Sequence, residues 1–416
     1  ISVQQHFRDM AINIQDTDFT VVGIGDMSGD VFGNGMLMSE HICLVAAFNH
    51  LHIFVDPDPD AAKSFAERKR LFAMPRSNWT DYDAKLISKG GGIFNRSAKS
   101  VPISAEMKRR FGITENSLTP NQLLTALLKA EVDLLWNGGI GTYVKSRGES
   151  HLDVGDKAND AIRINGVDLR CKVVGEGGNL GMTQLSRVEY NMYGGLCFTD
   201  FVDNAGGVNC SDVEVNIKIL LNMLLEKGKL SVKSRSKLLA QMTTDVAAIV
   251  LDNNYMQAQA IDLMGYQAQR RNFEYSHLMA VLEEQGRLDR QLEFLPSDDE
   301  LQERRAKGRF FTPPEIAILT SYVKGGLKEQ LAASELLDEP YMLRELHDAF
   351  PAVLVEKYPR ELAQHRLRRE IIATQVSNRM VNHMGMNFVE RMAESTGVGS
   401  AMIAKAYVGA RDIFNF

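Results

Sequence analysis

The sequence predicts a two-domain protein: an α/β domain over residues 1–216, with a Rossmann-like parallel sheet carrying helices on both faces, followed by an all-α domain over 217–416. Three observations predict it. Up to Asn216, short β-branched or apolar runs alternate with segments of helical period; beyond that point convincing strand-like runs stop; and four apolar runs in the first half each open into glycines, three of them with a short amide side chain.

The elements follow in order. Phe19–Ile24 (FTVVGI) reads as a strand entering Gly25-Asp26-Met27-Ser28-Gly29, and the next segment reads as a helix from about Ser28 to Asn49. His52–Val55 (HIFV) is the second strand. Val132–Trp136 then runs into Asn137-Gly138-Gly139, Cys171–Val174 into Gly175-Glu176-Gly177-Gly178-Asn179, and Phe198–Val202 into Asp203-Asn204-Ala205-Gly206-Gly207. In an open parallel sheet, ligands bind beyond the carboxyl ends of the strands, where backbone must approach closely. Any one of these ends is equally an ordinary turn that uses Gly and Asn for φ > 0. The second half holds long helix-period stretches; Thr312 ahead of Pro313 and Pro314 marks a helix start, and Gly325-Gly326 a stop.

Bulk properties narrow the function. The formal charge is −6 over 416 residues, so nothing neutralises a phosphate backbone and nucleic acid is not an expected partner. The four cysteines form no C-x-x-C pair, which points to a reducing cytoplasm. No apolar run approaches the roughly 18–20 residues that span a bilayer, so no membrane is expected as a partner. The start, ISVQQHFRDM, lacks an initiator Met and any signal-peptide pattern, and reads as the beginning of an excised or matured fragment. No metal-ligand spacing and no Ser-His-Asp arrangement stands out among the nine histidines, and Lys89-Gly90-Gly91-Gly92 lacks the G-K-[ST] closing a phosphate loop.

The strongest chemical signal is VVGIGDMSG, Val21–Gly29. Gly23 would allow a tight turn, Gly25 would let backbone approach a pyrophosphate, and Ser28, after Met27, fills the third glycine position. Asp56, closing the second strand, would grip the adenosine-ribose hydroxyls and favour NAD over NADP by repelling a 2′-phosphate. DPDPD is also a natural turn sequence, so Asp56 could instead be a turn residue.

These motifs resemble, in order, the nucleotide domain of the glutamate dehydrogenase superfamily, most closely the very large NAD-specific enzymes of bacteria: VVGIGDMSG, VDLLWNGGIGTYVK, KVVGEGGN and DNAGGVNCSDVE. The helical half is similar to their C-terminal region. The resemblance implies NAD as cofactor, with Asn137, Gly138 and Asn179 along the nicotinamide side and Asn204 on the carboxamide. It also turns Val208 and Ser211 towards the substrate. A hydroxyl at Ser211 suits the buried γ-carboxylate of glutamate, although Ser211 could also cap a helix. The implied reaction is oxidative deamination of L-glutamate to 2-oxoglutarate and ammonia by an enzyme that is a homo-oligomer when intact. Its catalytic lysine and aspartate would lie upstream of Ile1, leaving no catalytic residue in this chain and no activity to it alone. Two alternatives remain open: a dehydrogenase of branched or aromatic amino acids, and a non-catalytic dinucleotide-sensing module.

Overall fold

The computed structural model describes residues 1–415, which divide into two compact units, the first Ile1–Asn204 and the second from Ala205 on. The first unit is built on one six-stranded sheet. Its strands are β1 (Phe19–Ile24), β2 (Ile42–Phe48), β3 (His52–Val55), β4 (Gly92–Asn95), β5 (Leu134–Asn137) and β6 (Val173–Glu176), in the order β6-β5-β1-β2-β3-β4. β6, β5, β1 and β2 are parallel, whereas β3 and β4 are antiparallel additions at one side.

Because strand side chains alternate, neighbouring residues feed different cores. Val21 and Leu44 join Phe7 of α1 (Ser2–Asp9), Phe32 of α2 (Asp30–Gly35) and Leu71 of α3 (Ala61–Ala73) on one face. Val22, Ile24 and Val45 meet Met107 of α4 (Ala105–Phe111) and Leu123 and Leu127 of α5 (Pro120–Leu128) on the other. Trp79 is fully buried, stacked on Phe54 at 4.8 Å and edge-on to Phe32 at 5.8 Å.

Two elements differ from the sequence expectation. The helix expected over 28–49 ends at Gly35, and Ile42–Phe48 is a strand instead. Its near-continuous apolar run suits a parallel strand buried on both faces, while Gly33 and Gly35 weaken helix propagation. Likewise, Phe198–Val202 is not a strand: after α6 (Gln184–Met192) the chain forms the short helix α7 (Asp200–Asp203). Asp200 is held there by the Leu180 amide at 2.8 Å and the Arg187 guanidinium at 3.3 Å, polar ties that a β ladder does not offer.

The second unit is helical, with no strand among the described residues. Its main elements are α8 (Ala205–Glu226), α9 (Thr243–Glu284), α10 (Pro313–Ala332), α11 (Arg368–Met384) and α12 (Ser400–Phe414). Residues 205–216 belong to it as the first turns of α8. α10 opens as expected, with the Glu315 carboxylate accepting the Thr312 amide and hydroxyl, both at 2.8 Å. It does not stop at Gly325-Gly326: a Cβ on Gly326 would lie 2.4 Å from the Arg287 guanidinium, so glycine here admits a crossing side chain. The buried Glu345 binds Arg379 at 2.9 Å and Arg411 at 2.5 Å. Among the described residues no helix is long and apolar enough to cross a membrane.

Candidate cofactor site

A cleft of about 860 Å³ opens in the first unit where β1, β2 and β5 end, lined by Gly25, Asp26, Gly29, Asn49, Arg96 and Gly138, with Tyr143 and Asp156 farther along. The glycines are explained by one aromatic ring. Phe32, fully buried at the start of α2, lies so close that a Cβ on Gly23 would stand 2.5 Å from its ring, one on Gly25 2.7 Å, and one on Gly138 2.7 Å from its Cα. Gly25 also has φ +139°, a conformation L side chains rarely adopt. Bare backbone therefore borders the cleft at Gly25, Gly29 and Gly138. This is the cradle a dinucleotide pyrophosphate needs, so the residues fit the cofactor the motifs imply. α2 is only six residues long, and the amides of Gly25, Gly29 and Gly138 are bonded to the carbonyls of Phe48, Asp26 and Ile24, so these glycines offer close approach rather than free donors.

Several expected roles change. Gly23 sits inside β1 and serves the packing of Phe32, not a tight turn. Met27 is 2% exposed and belongs to the apolar core. Ser28 is exposed; its amide and hydroxyl donate to Asp26 Oδ1 at 3.0 and 2.6 Å. Asn137 is buried at the end of β5, close enough to the Gly181 backbone that no Cβ fits there, and its Nδ2 has no partner.

Asp56 is not brought to the cleft. β3 runs antiparallel to β2, so its carboxyl end returns into the sheet, where the Asp56 amide bonds Val45 O at 2.9 Å. The carboxylate is 1% exposed, and its Oδ1 accepts the amide and hydroxyl of Ser88. Burial lifts its pKa, with the Ser88 bonds opposing. The residue that follows β2 at the correct edge is Asn49, whose Nδ2 donates to Asp26 Oδ2 at 2.7 Å.

At the end of β6 the structure brings together two expected residues: the Asn204 amide donates to Asn179 Oδ1. Behind them lies a buried network. Arg187 grips Glu176 through two bonds of 2.7 and 3.0 Å and reaches Asp200, while Asp203 Oδ2 accepts the Glu176 amide at 2.9 Å. Burial raises the Glu176 carboxyl above the ordinary range, with Arg187 pulling it back. Burial also lifts Asp203 to about 7, against the hydrogen bond from the Glu176 amide. Val208, 66% exposed, and Ser211, also exposed, lie three residues apart on one face of α8. Ser211 is well inside that helix and is not its cap.

Sequence reasoning missed Asp26, Asn49, Arg96 and the Glu176–Arg187 pair as parts of the site. Asp26 two residues before Ser28 is an Asx-turn pattern, and Asn49 after an apolar run is a turn residue. No local signal links Glu176 to Arg187. Among the described residues no cluster of three His, Cys, Asp or Glu could hold a metal ion.

Comparison with known proteins adds a second line of evidence. The family profile for the bacterial NAD-glutamate dehydrogenase catalytic domain matches residues 1–264, and that for the glutamate dehydrogenase C-terminal region matches 308–416. The chain is 59% identical over 415 residues to the NAD-specific glutamate dehydrogenase of Pseudomonas aeruginosa and 56% over 413 residues to that of Halomonas elongata, covering 100% and 99% of this chain. The Mycobacterium tuberculosis relative of the same name is 48% identical over 423 residues, covering 99% of this chain. The chain spans 26% of the length of each of these relatives.

Proposed function

This chain belongs to the bacterial NAD-glutamate dehydrogenase family, and on that premise we propose that it supplies the cofactor-binding half of an enzyme that oxidises L-glutamate with NAD to 2-oxoglutarate and ammonia. The observation that carries the reading is the glycine-bordered cleft at the carboxyl edge of the parallel strands. The backbone at Gly25, Gly29 and Gly138 beds the pyrophosphate and its flanking riboses. Asn179 and Asn204, locked to each other, present amide groups at the nicotinamide end. The bound nicotinamide would accept the hydride from the substrate Cα. This chain's own part is to hold that ring in one orientation, which the Glu176–Arg187–Asp200 network supports from beneath.

Val208 and Ser211 are assigned to the substrate, Ser211 offering a hydroxyl to the γ-carboxylate; their exposure and shared helical face support this. The acid and base groups are assigned to other parts of the enzyme, so the chain alone binds NADH without oxidising glutamate. Four free cysteines support a cytoplasmic setting, and a homo-oligomer is proposed for the intact enzyme.

Titrating the chain with NADH and assaying glutamate oxidation in parallel tests the reading. Saturable NADH binding without turnover is expected, and failure to bind at millimolar NADH would refute it. In the intact enzyme Ser211→Val should weaken glutamate use by about 1–3 kcal/mol and leave NAD affinity unchanged.

A further inference from the structure

The cofactor reading leaves open what distinguishes NAD from NADP. Folds of this kind usually place a carboxylate at the end of the second parallel strand, against the ribose hydroxyls. Here that position is Asn49, and its side chain is committed: Oδ1 accepts the amides of Leu51 and His52, both at 2.8 Å, and Nδ2 donates to Asp26. Asp26 comes from the glycine turn after β1, and its carboxylate bridges from that turn to the end of β2. It is tethered on both sides, by Ser28 at Oδ1 and by Asn49 at Oδ2. A carboxylate has about four acceptor positions and these bonds use three, leaving one on Oδ2 at the cleft wall.

A cation sits beside it. Arg96, on the loop after β4, donates from Nη1 to Asn49 O at 2.9 Å and lines the same cleft, with no ion-pair partner among the described residues. Two opposite charges therefore flank Asn49. Arg96 alone would welcome a phosphate there, and Asp26 opposes it.

Resting on the cofactor reading above, we infer that Asp26, positioned by Asn49 and Ser28, is the group that selects NAD over NADP. Its Oδ2 accepts from an adenosine-ribose hydroxyl, and its charge repels a 2′-phosphate that Arg96 would otherwise hold.

Equilibrium titration of the chain with NADH and NADPH, followed by nicotinamide fluorescence, tests this without turnover. Wild type should bind NADH more tightly. Asp26→Asn keeps an oxygen for Ser28 but removes the charge, and should shift the ratio of the two dissociation constants at least tenfold towards NADPH. Adding Arg96→Gln should abolish that gain. Asp26→Ser, shorter and also uncharged, should give the same shift and guards against a folding defect peculiar to one variant. An unchanged ratio in variants that still bind NADH overturns the assignment alone. Binding of neither dinucleotide by wild type overturns the cofactor reading, and the assignment with it.

Discussion

The two ends of the carboxyl edge are built by different means. At the β1–β2 end, one charged side chain is fixed by neutral partners: Asp26 accepts from Ser28 two residues on and from Asn49, which itself accepts from Leu51 and His52. At the β6 end, the exposed Asn179 and the partly buried Asn204 stand over a buried ionic network in which Arg187 serves Glu176 and Asp200, eleven and thirteen residues away. The first end can be altered with local consequences, because Asp26 is partly open to water and Ser28 is exposed. The second joins β6, α6 and α7 in one unit, so a change there should reach the stability of the whole first unit.

Arg187→Met is the most severe test of that contrast. It would leave Glu176, fully buried, and Asp200, 9% exposed, with no cation between them. Removing one partner of a buried pair typically costs about 3–5 kcal/mol. Trp79 and Trp136, the only two tryptophans, both lie in the first unit, so urea unfolding followed by tryptophan fluorescence reads that unit directly. A loss below about 1 kcal/mol would mean that the network is not what braces this end. Asp26→Asn, by contrast, should leave the unfolding midpoint close to wild type.

The contrast also governs what the sequence could reveal. β1, β5 and β6 were legible because each is a short apolar run stopped by glycine, and the GEGGN and DNAGG motifs marked Asn179 and Asn204 without any knowledge of their backing. The stretch 28–49 reads as one helix because an apolar run such as CLVAAF fits a buried strand or a helix equally well, and length alone does not decide. That one error moved the end of the second parallel strand from Asn49 to Asp56 and reversed the direction of HIFV. FTDFV failed for a different reason: Asp200 is drawn into helix α7 by partners at Leu180 and Arg187, and no pattern within five residues encodes that. In the second unit, Thr312-Pro313-Pro314 announced α10, but Gly325-Gly326 misled, because there glycine makes room for Arg287 rather than ending the helix.

Asp203 sharpens the comparison through pH. Its pKa, about 7 in the folded chain against an ordinary 3.8, means that the folded state keeps a proton which the unfolded chain gives up. Stability from this group is therefore complete below about pH 4 and is lost as pH rises towards 7, with a slope of at most about 1.4 kcal/mol per pH unit. Asp203→Asn retains an acceptor for the Glu176 amide and cannot ionise. Its tryptophan-monitored stability should fall less than wild type's between pH 5 and 8, and should exceed it at pH 8. Parallel profiles for the two proteins would show that Asp203 does not titrate in that window.

The smallest effect is expected at Asp56, and its smallness is the informative part. If a carboxylate selected NAD because it closes the HIFV strand, Asp56→Ser would relax the preference. The fold argues otherwise: β3 turns back antiparallel, the Asp56 backbone is paired with Val45 inside the sheet, and Oδ1 is spent on Ser88 from the segment leading into β4. Loss of those bonds should cost about 1–3 kcal/mol of stability, since the Ser88 donors are left poorly matched. The ratio of NADH to NADPH dissociation constants should move by less than about twofold, because no charge beside the cleft has changed. Measured beside Asp26→Asn under the same salt conditions, the pair separates the two carboxylates cleanly. A shift at Asp56 as large as that at Asp26 would mean that the edge of the sheet where β2 ends is not where the adenosine ribose lies.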